Sequence, residues 1–194
     1  PCANYESGKG GRVNAVRVMN GRNLDAEIFA RGLTIATNLP VFVLGDMNTD
    51  SQPGNGIVIP QESGARTWIP FLIAGDVMYH VSNNWRDTTS PWSVRTYYSH
   101  RNATTTTYNI AELIGWVPSK GGVGGTRFHN LQGFQERWAG VNHYINGAVT
   151  IGWHAVYHRN NRTSGGRWAY SPPYRRWTFD TNYRLFSNQP PGTP

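Results

Sequence analysis

From residue 33 onward the chain runs in short segments rich in β-branched and aromatic residues, each closed by a cluster of turn formers. The segments are "LPVFVLG" (39–45), "GIVIP" (56–60), "TWIPFLIAG" (67–75), "VMYHV" (77–81), "WSVRTYY" (92–98), "TTTTYNI" (104–110), "FQERWAGV" (134–141), "GAVTIGWHAVYH" (147–158) and "WTFDTNYRLF" (177–186). Turn clusters such as "DSQPGNG", "SKGGVGG" and "NNRTSGG" separate them. A side chain alternates between two faces along a strand, so such segments predict strands half-buried in a sheet. Only "LDAEIFARGL" (24–33) carries a helical pattern; Asn23 could cap it, and Asp25 and Glu27 would sit in its first turn. Roughly ten short strands at this spacing predict a mainly β chain. The expected fold is an antiparallel β-sandwich, jelly-roll-like, with one or two short helices. We read residues 1–194 as one domain, with no internal repeat and with 187–194 as an extended, mobile tail.

Composition narrows the class. Aromatic residues make up 13% of the chain and charged residues 15%, which is a globular balance. The formal net charge is +7, carried by sixteen Arg and two Lys against eleven acids. Arginine grips phosphate through a planar fork, so anionic surfaces are expected partners. Cys2 is alone, which excludes an internal disulfide and a cysteine-built metal site. No apolar run reaches the length of a membrane-spanning helix. The start at Pro1 reads as a mature, secreted product.

Candidate chemistry begins at "LPVFVLGDMNTD" (39–50), which resembles the metal-binding strand end of the endonuclease/exonuclease/phosphatase superfamily. That resemblance implies Asp46 near Mg²⁺ and Asn48 on a phosphate oxygen. The family's upstream Glu and its terminal Ser-Asp-His have no counterpart; the nearest pair is Ser99–His100. The residues themselves read as a strand over 40–45 and a turn over 46–54, with Asp46 and Asn48 bonding their own backbone and no metal bound. His154 and His158 lie four apart on a predicted strand, about 13 Å, too far to share an ion. No nucleophile motif and no defensible acid/base pair occurs, so no catalytic residue, metal or cofactor is expected.

Aromatic and basic residues interleave in "NNWRDTTSPWSVRTYYSHR" (83–101) and "GRWAYSPPYRRWTF" (166–179). Rings suit a boundary between water and an apolar layer, and arginine adds attraction to phosphate. By order and spacing, residues 30–157 resemble the actinoporin-like pore-forming cytolysins, through "ARGLTIATN" (30–38), "GIVIP", "DVMYHVSNNWRDTTSPWSVRTYYSH" (76–100), "YNIAEL" (108–113) and "TRFHNLQGFQERWAGVNHYINGAVTIGWHAVY" (126–157). The resemblance implies a secreted, lipid-binding toxin without enzymatic activity. Its headgroup site would use Ser82, Trp85, Pro91, Trp92, Tyr108 and Trp116, with Arg86, Arg95 and Arg101 meeting phosphates. Residues 12–33 lack the apolar face of the family's pore-lining helix, and Ile114 and Gly115 stand where it has tyrosines. Three alternatives stay open. One is a glycan-binding module using Trp85 and Trp92 as stacking platforms. Another is a viral or filament jelly-roll coat subunit that self-assembles and turns its arginines to nucleic acid. The last is a truncated Mg²⁺-dependent phosphodiesterase.

Overall fold

The computed structural model describes residues 14–25, 27–49, 69–87, 101–116, 132–157 and 172–193. They form ten strands: β1 (Val16–Met19), β2 (Leu33–Ala36), β3 (Val41–Leu44), β4 (Phe71–Gly75), β5 (Met78–Val81), β6 (Thr106–Tyr108), β7 (Ala111–Trp116), β8 (Gln132–Phe134), β9 (Asn142–His154) and β10 (Tyr174–Phe179). Every pairing between them is parallel. One sheet has the order β1-β3-β5-β8; the other runs β10-β9-β7-β4-β2, with β6 also paired to β9. The antiparallel sandwich is therefore corrected: the fold is mostly β, built from parallel-only sheets.

The register shows how the chain winds. Val16, Val41, Met78 and Gln132 lie at matching points of the first sheet, steps of 25, 37 and 54 residues. On the second sheet Leu33 pairs with Phe71, Leu72 with Ala111, and Ala111 with Ala148, steps of 38, 39 and 37. From β1 to β9 the chain thus passes from one sheet to the other and back, with β6 as an extra short strand before β7, and each circuit starts about 4.8 Å along from the last. Parallel sheets usually need helical crossovers to cover them. Here, among the described residues, no crossover is an α-helix, and the opposite wall of the coil covers each sheet instead. This is solenoid winding, in which each turn rests on its neighbours.

The interior between the walls is filled by Val41, Val43, Phe71, Ile73, Met78, Tyr108, Ile110, Ile114 and Ile145. β4 and β5 are buried at every position. Outside that core, Phe42 and Tyr79 stack at 4.5 Å, one coil above the other. Gly133 follows in register, where a Cβ would stand 2.2 Å from the Tyr79 ring, so glycine lets the ring lie flat.

Two further expectations change. "LDAEIFARGL" is not a helix: Asp25 accepts from the backbone of Glu27 and Ile28, Gly32 adopts φ +97°, and β2 starts at Leu33. The left-handed glycine ends the turn before a second helical turn can form. The C-terminal segment is tied down rather than loose. After β10 it makes two 3-10 turns, Thr181–Arg184 and Phe186–Asn188. Tyr183 is buried against Leu72 and Ala111, on the outer face of the second sheet. Gln189 donates to the Tyr183 carbonyl, and Thr34 Oγ1 donates to the Pro191 carbonyl. Residues 180–193 thus run as a strap from the last coil back to the first.

Candidate functional site

At the corner after β3, Gly45 and Asn48 adopt positive φ (76° and 56°), and the chain turns there. Asp46 is buried: Oδ1 accepts from the Thr107 backbone at 2.9 Å and Oδ2 lies 3.2 Å from Arg22 Nη2. Asn48 Nδ2 donates to the carbonyls of Ile69 and Asn109, while its Oδ1 accepts from the Ile69 N–H. Asn109 donates back to the Asn48 carbonyl at 2.9 Å. The expected self-bonded turn is corrected: these side chains clamp their own coil to the next. Their polar atoms are committed to the backbone and, at Asp46 Oδ2, to the Arg22 guanidinium. Among the described residues no group of three or more His, Cys, Asp or Glu could hold a metal ion. Residues 50–54 of the expected turn lie outside the described residues.

Inside the coil a row of polar side chains crosses the core. His80 of β5, Glu112 of β7, Gln132 of β8 and His143 of β9 are all 3% exposed or less. Gln132 Nε2 donates to Glu112 Oε2 at 2.6 Å. Glu112 Oε1 lies 3.1 Å from His80 Nε2, close but too oblique for a hydrogen bond. His80 Nδ1 meets His143 Nε2 at 2.7 Å, and Trp177 Nε1 of β10 donates to His143 Nδ1 at 3.0 Å. His80 also stacks on Tyr108 at 4.2 Å. Burial, followed by His80 and Arg175, holds the His143 imidazole well below its ordinary range. Burial pushes the Tyr108 hydroxyl well above its own, so it stays neutral and donates to the Val81 carbonyl.

Among the described residues of the expected headgroup site, Ser82 and Tyr108 are buried and not at a surface. Ser82 is buried, and both its N–H and its hydroxyl donate to Glu136. Tyr108 is in the core. Trp85 is half-buried against the Phe42–Tyr79 cluster and donates to Asp87. Arg86 is exposed, and Arg101 is half-buried. Trp116 lies 4.6 Å from the His154 ring at the end of β7. Pro91, Trp92 and Arg95 lie outside the described residues.

Among the described residues, exposed rings occur on β10 and along the strap that follows it. β10 ends the second sheet. Its Arg175, Trp177 and Phe179 pair with His143, Ile145 and Gly147, so they occupy inward-facing positions of a coil with no described coil above it. Tyr174, Trp177 and Phe179 are exposed, as are Ile151 and Trp153 of β9 and Leu185 in the strap; Phe186 reaches 84%. Arg176 of β10 and Arg184 of the strap are exposed as well. The only acid between 172 and 193, Asp180, is buried as the cap of a 3-10 turn. Sequence reading quoted Trp177 inside the run 166–179 but gave it no role. His80, Glu112 and His143 carried no spacing signal, because histidines inside apolar segments look like any half-buried strand position.

Comparison with protein-family models, with curated proteins and with solved structures returned no match. The site is therefore read from its side chains. The interior row is buried. β10 presents exposed rings with Arg176, and the strap presents Leu185 and Phe186 with Arg184.

Proposed function

We propose that this chain is a non-enzymatic binding module that adheres to anionic lipid headgroups through its C-terminal end. The observation that carries the reading is the exposed set Tyr174, Trp177, Phe179, Leu185 and Phe186 with Arg176 and Arg184, and with no exposed carboxylate from 172 to 193. Aromatic rings with a polar edge favour the headgroup level, and aliphatic side chains gain by entering the acyl boundary. Arginines near an anionic leaflet contribute about 1 kcal/mol each. The chain's net charge of +7 adds long-range attraction. A sugar would use the rings by stacking but would leave Leu185 and Phe186 in water, so the glycan reading ranks second. Among the described residues no helix is long and apolar enough to cross a membrane.

Co-sedimentation with phosphatidylcholine vesicles, with and without phosphatidylserine, tests the proposal. Binding to the anionic vesicles should weaken about tenfold or more in L185S/F186S with melting temperature unchanged, because both side chains are exposed. Equal binding by the variant, or retention on a glycan array with none on vesicles, would refute it.

A further inference from the structure

We infer that the His80–His143 pair is a proton-operated latch on Trp177, so that acid releases the last strand, β10, from the coil. The geometry fixes every proton in the row. An indole N–H can only donate, so His143 Nδ1 carries no proton. Neutral His143 then carries its proton on Nε2 and donates it to His80 Nδ1. His80 in turn carries its single proton on Nε2, facing Glu112 Oε1. The direction runs one way, from Trp177 at the surface to Glu112 in the core.

One more proton has no place in this order. Two neutral imidazoles hold two protons, and a third must fall on His143 Nδ1 or His80 Nδ1. On His80 Nδ1, with His143 unchanged, two N–H groups would oppose each other at 2.7 Å. On His143 Nδ1, the new N–H would oppose the Trp177 N–H at 3.0 Å. The second conflict can be relieved, because Trp177 is 38% exposed at the edge of its sheet, whereas His80 is fully buried under Tyr108. The step balances: water delivers a proton to His143 Nδ1 as Trp177 lifts, the Nε2 proton passes to His80 Nδ1, and the resulting His80 cation lies beside the Glu112 carboxyl group. The groups around the pair set the balance. Glu112 from β7 favours the cation, and Arg175 from β10 opposes it, lying 5.4 Å from the Trp177 ring. Tyr108 from β6 and Phe134 and Gln132 from β8 bring no charge. Beyond β8, Trp138 brings none either, and Glu136 is turned to Ser82. Burial and Arg175 keep the latch shut at neutral pH. As regulation of membrane adhesion this rests on the headgroup reading, since Trp177 belongs to that exposed set; the latch itself does not.

Nitrogen NMR of the wild-type full chain tests it without any variant. At pH 7.5 the imidazole shifts should show His143 protonated at Nε2 and His80 at Nε2, with a hydrogen-bonded Trp177 indole. Below pH 6.5 the released fraction of Trp177 should grow about tenfold per pH unit while the buried Trp138 indole stays unchanged. Phe at 177 keeps a ring but removes the donor, and W177F should abolish the pH-dependent exchange of β10 amides. A Trp177 signal constant down to global unfolding, or His143 protonated at Nδ1 at neutral pH, would overturn the latch. Vesicle binding measured alongside separates the two readings: release of Trp177 with no binding at either pH keeps the latch and removes the headgroup function. Release together with binding that strengthens in acid supports both.

Discussion

Replacing Asn48 should cost more than any other single polar substitution in the clamp between coils, and the structure shows why. Its side chain makes three buried hydrogen bonds, Nδ2 to Ile69 O at 2.5 Å and to Asn109 O at 3.0 Å, and Oδ1 from Ile69 N at 2.9 Å. Alanine deletes all three. A buried donor left without that partner costs about 1–3 kcal/mol, and carbonyls deprived of a donor add to it. The backbone at 48 has φ 56°, where alanine is worse than asparagine by about 1 kcal/mol. The sum for N48A is about 3–5 kcal/mol, a large share of a typical domain's stability. Urea unfolding followed by tryptophan fluorescence measures it; with a slope of about 2 kcal/mol/M the midpoint should fall by about 1.5–2.5 M. Glycine at 48 accepts the backbone, so N48G should recover about 1 kcal/mol relative to N48A. A cost for N48A under about 1 kcal/mol, or glycine no better than alanine, would refute both the clamp and its strained turn.

Acid should destabilise the fold through His143: its imidazole is depressed in the folded chain, so the unfolded chain takes the proton first. Stability then falls as pH drops below about 6.5, by at most about 1.4 kcal/mol per unit, which thermal melts across pH will show. Glu136 acts the other way. Burial raises its carboxyl above 4.5, so the folded form is protonated first and stability rises as pH falls through that raised value, ceasing at about 4.5; E136Q should therefore give a steeper acid loss than wild type. Truncating the buried strap residue in Y183A should cost about 3 kcal/mol and make the peptide bonds after Arg184 sensitive to trypsin, read by limited proteolysis.

Strand positions were legible in the sequence because side-chain alternation and β-branching are local. β3, β4, β5 and β6 fall within segments marked by that pattern, and β9 does so from Gly147 onward. Direction was not legible, because it is set by where the chain goes between strands. β4 and β5 are separated only by Asp76 and Val77, a link that reads as a tight hairpin. Yet the two strands are in different sheets, and the chain turns a corner there instead of reversing. Asp76 secures the corner by accepting from the backbone of Val156 and Tyr157 two coils on. One sign of parallel pairing was present: "FLIAG" and "MYHV" offer almost no polar alternation, as strands buried on both faces do. The repeat was hidden because unequal loops stretch the first sheet's steps from 25 to 54 residues, although the second sheet keeps 37 to 39 as far as β9 and shortens to 32 only at β10. β1 was missed because "VRVM" is short and follows a Gly- and Arg-rich run.

The aromatic–arginine signal was legible as composition, but its position depended on the winding. In the middle of a solenoid an inward-facing apolar side chain is core, as Tyr108 and Ile145 are. At the last coil the same register leaves Trp177 and Phe179 uncovered, because no described coil lies beyond them. Solenoids ordinarily close such an end with a polar cap. This end instead carries rings and arginines without an exposed carboxylate, which lowers the cost of meeting an anionic, half-apolar layer. Trp177 is where interior and surface join: its ring is partly exposed while its indole N–H is committed to His143. A change in proton count inside the coil must therefore reach the exposed face through that one bond, and a ring that served only as surface or only as core could not transmit it.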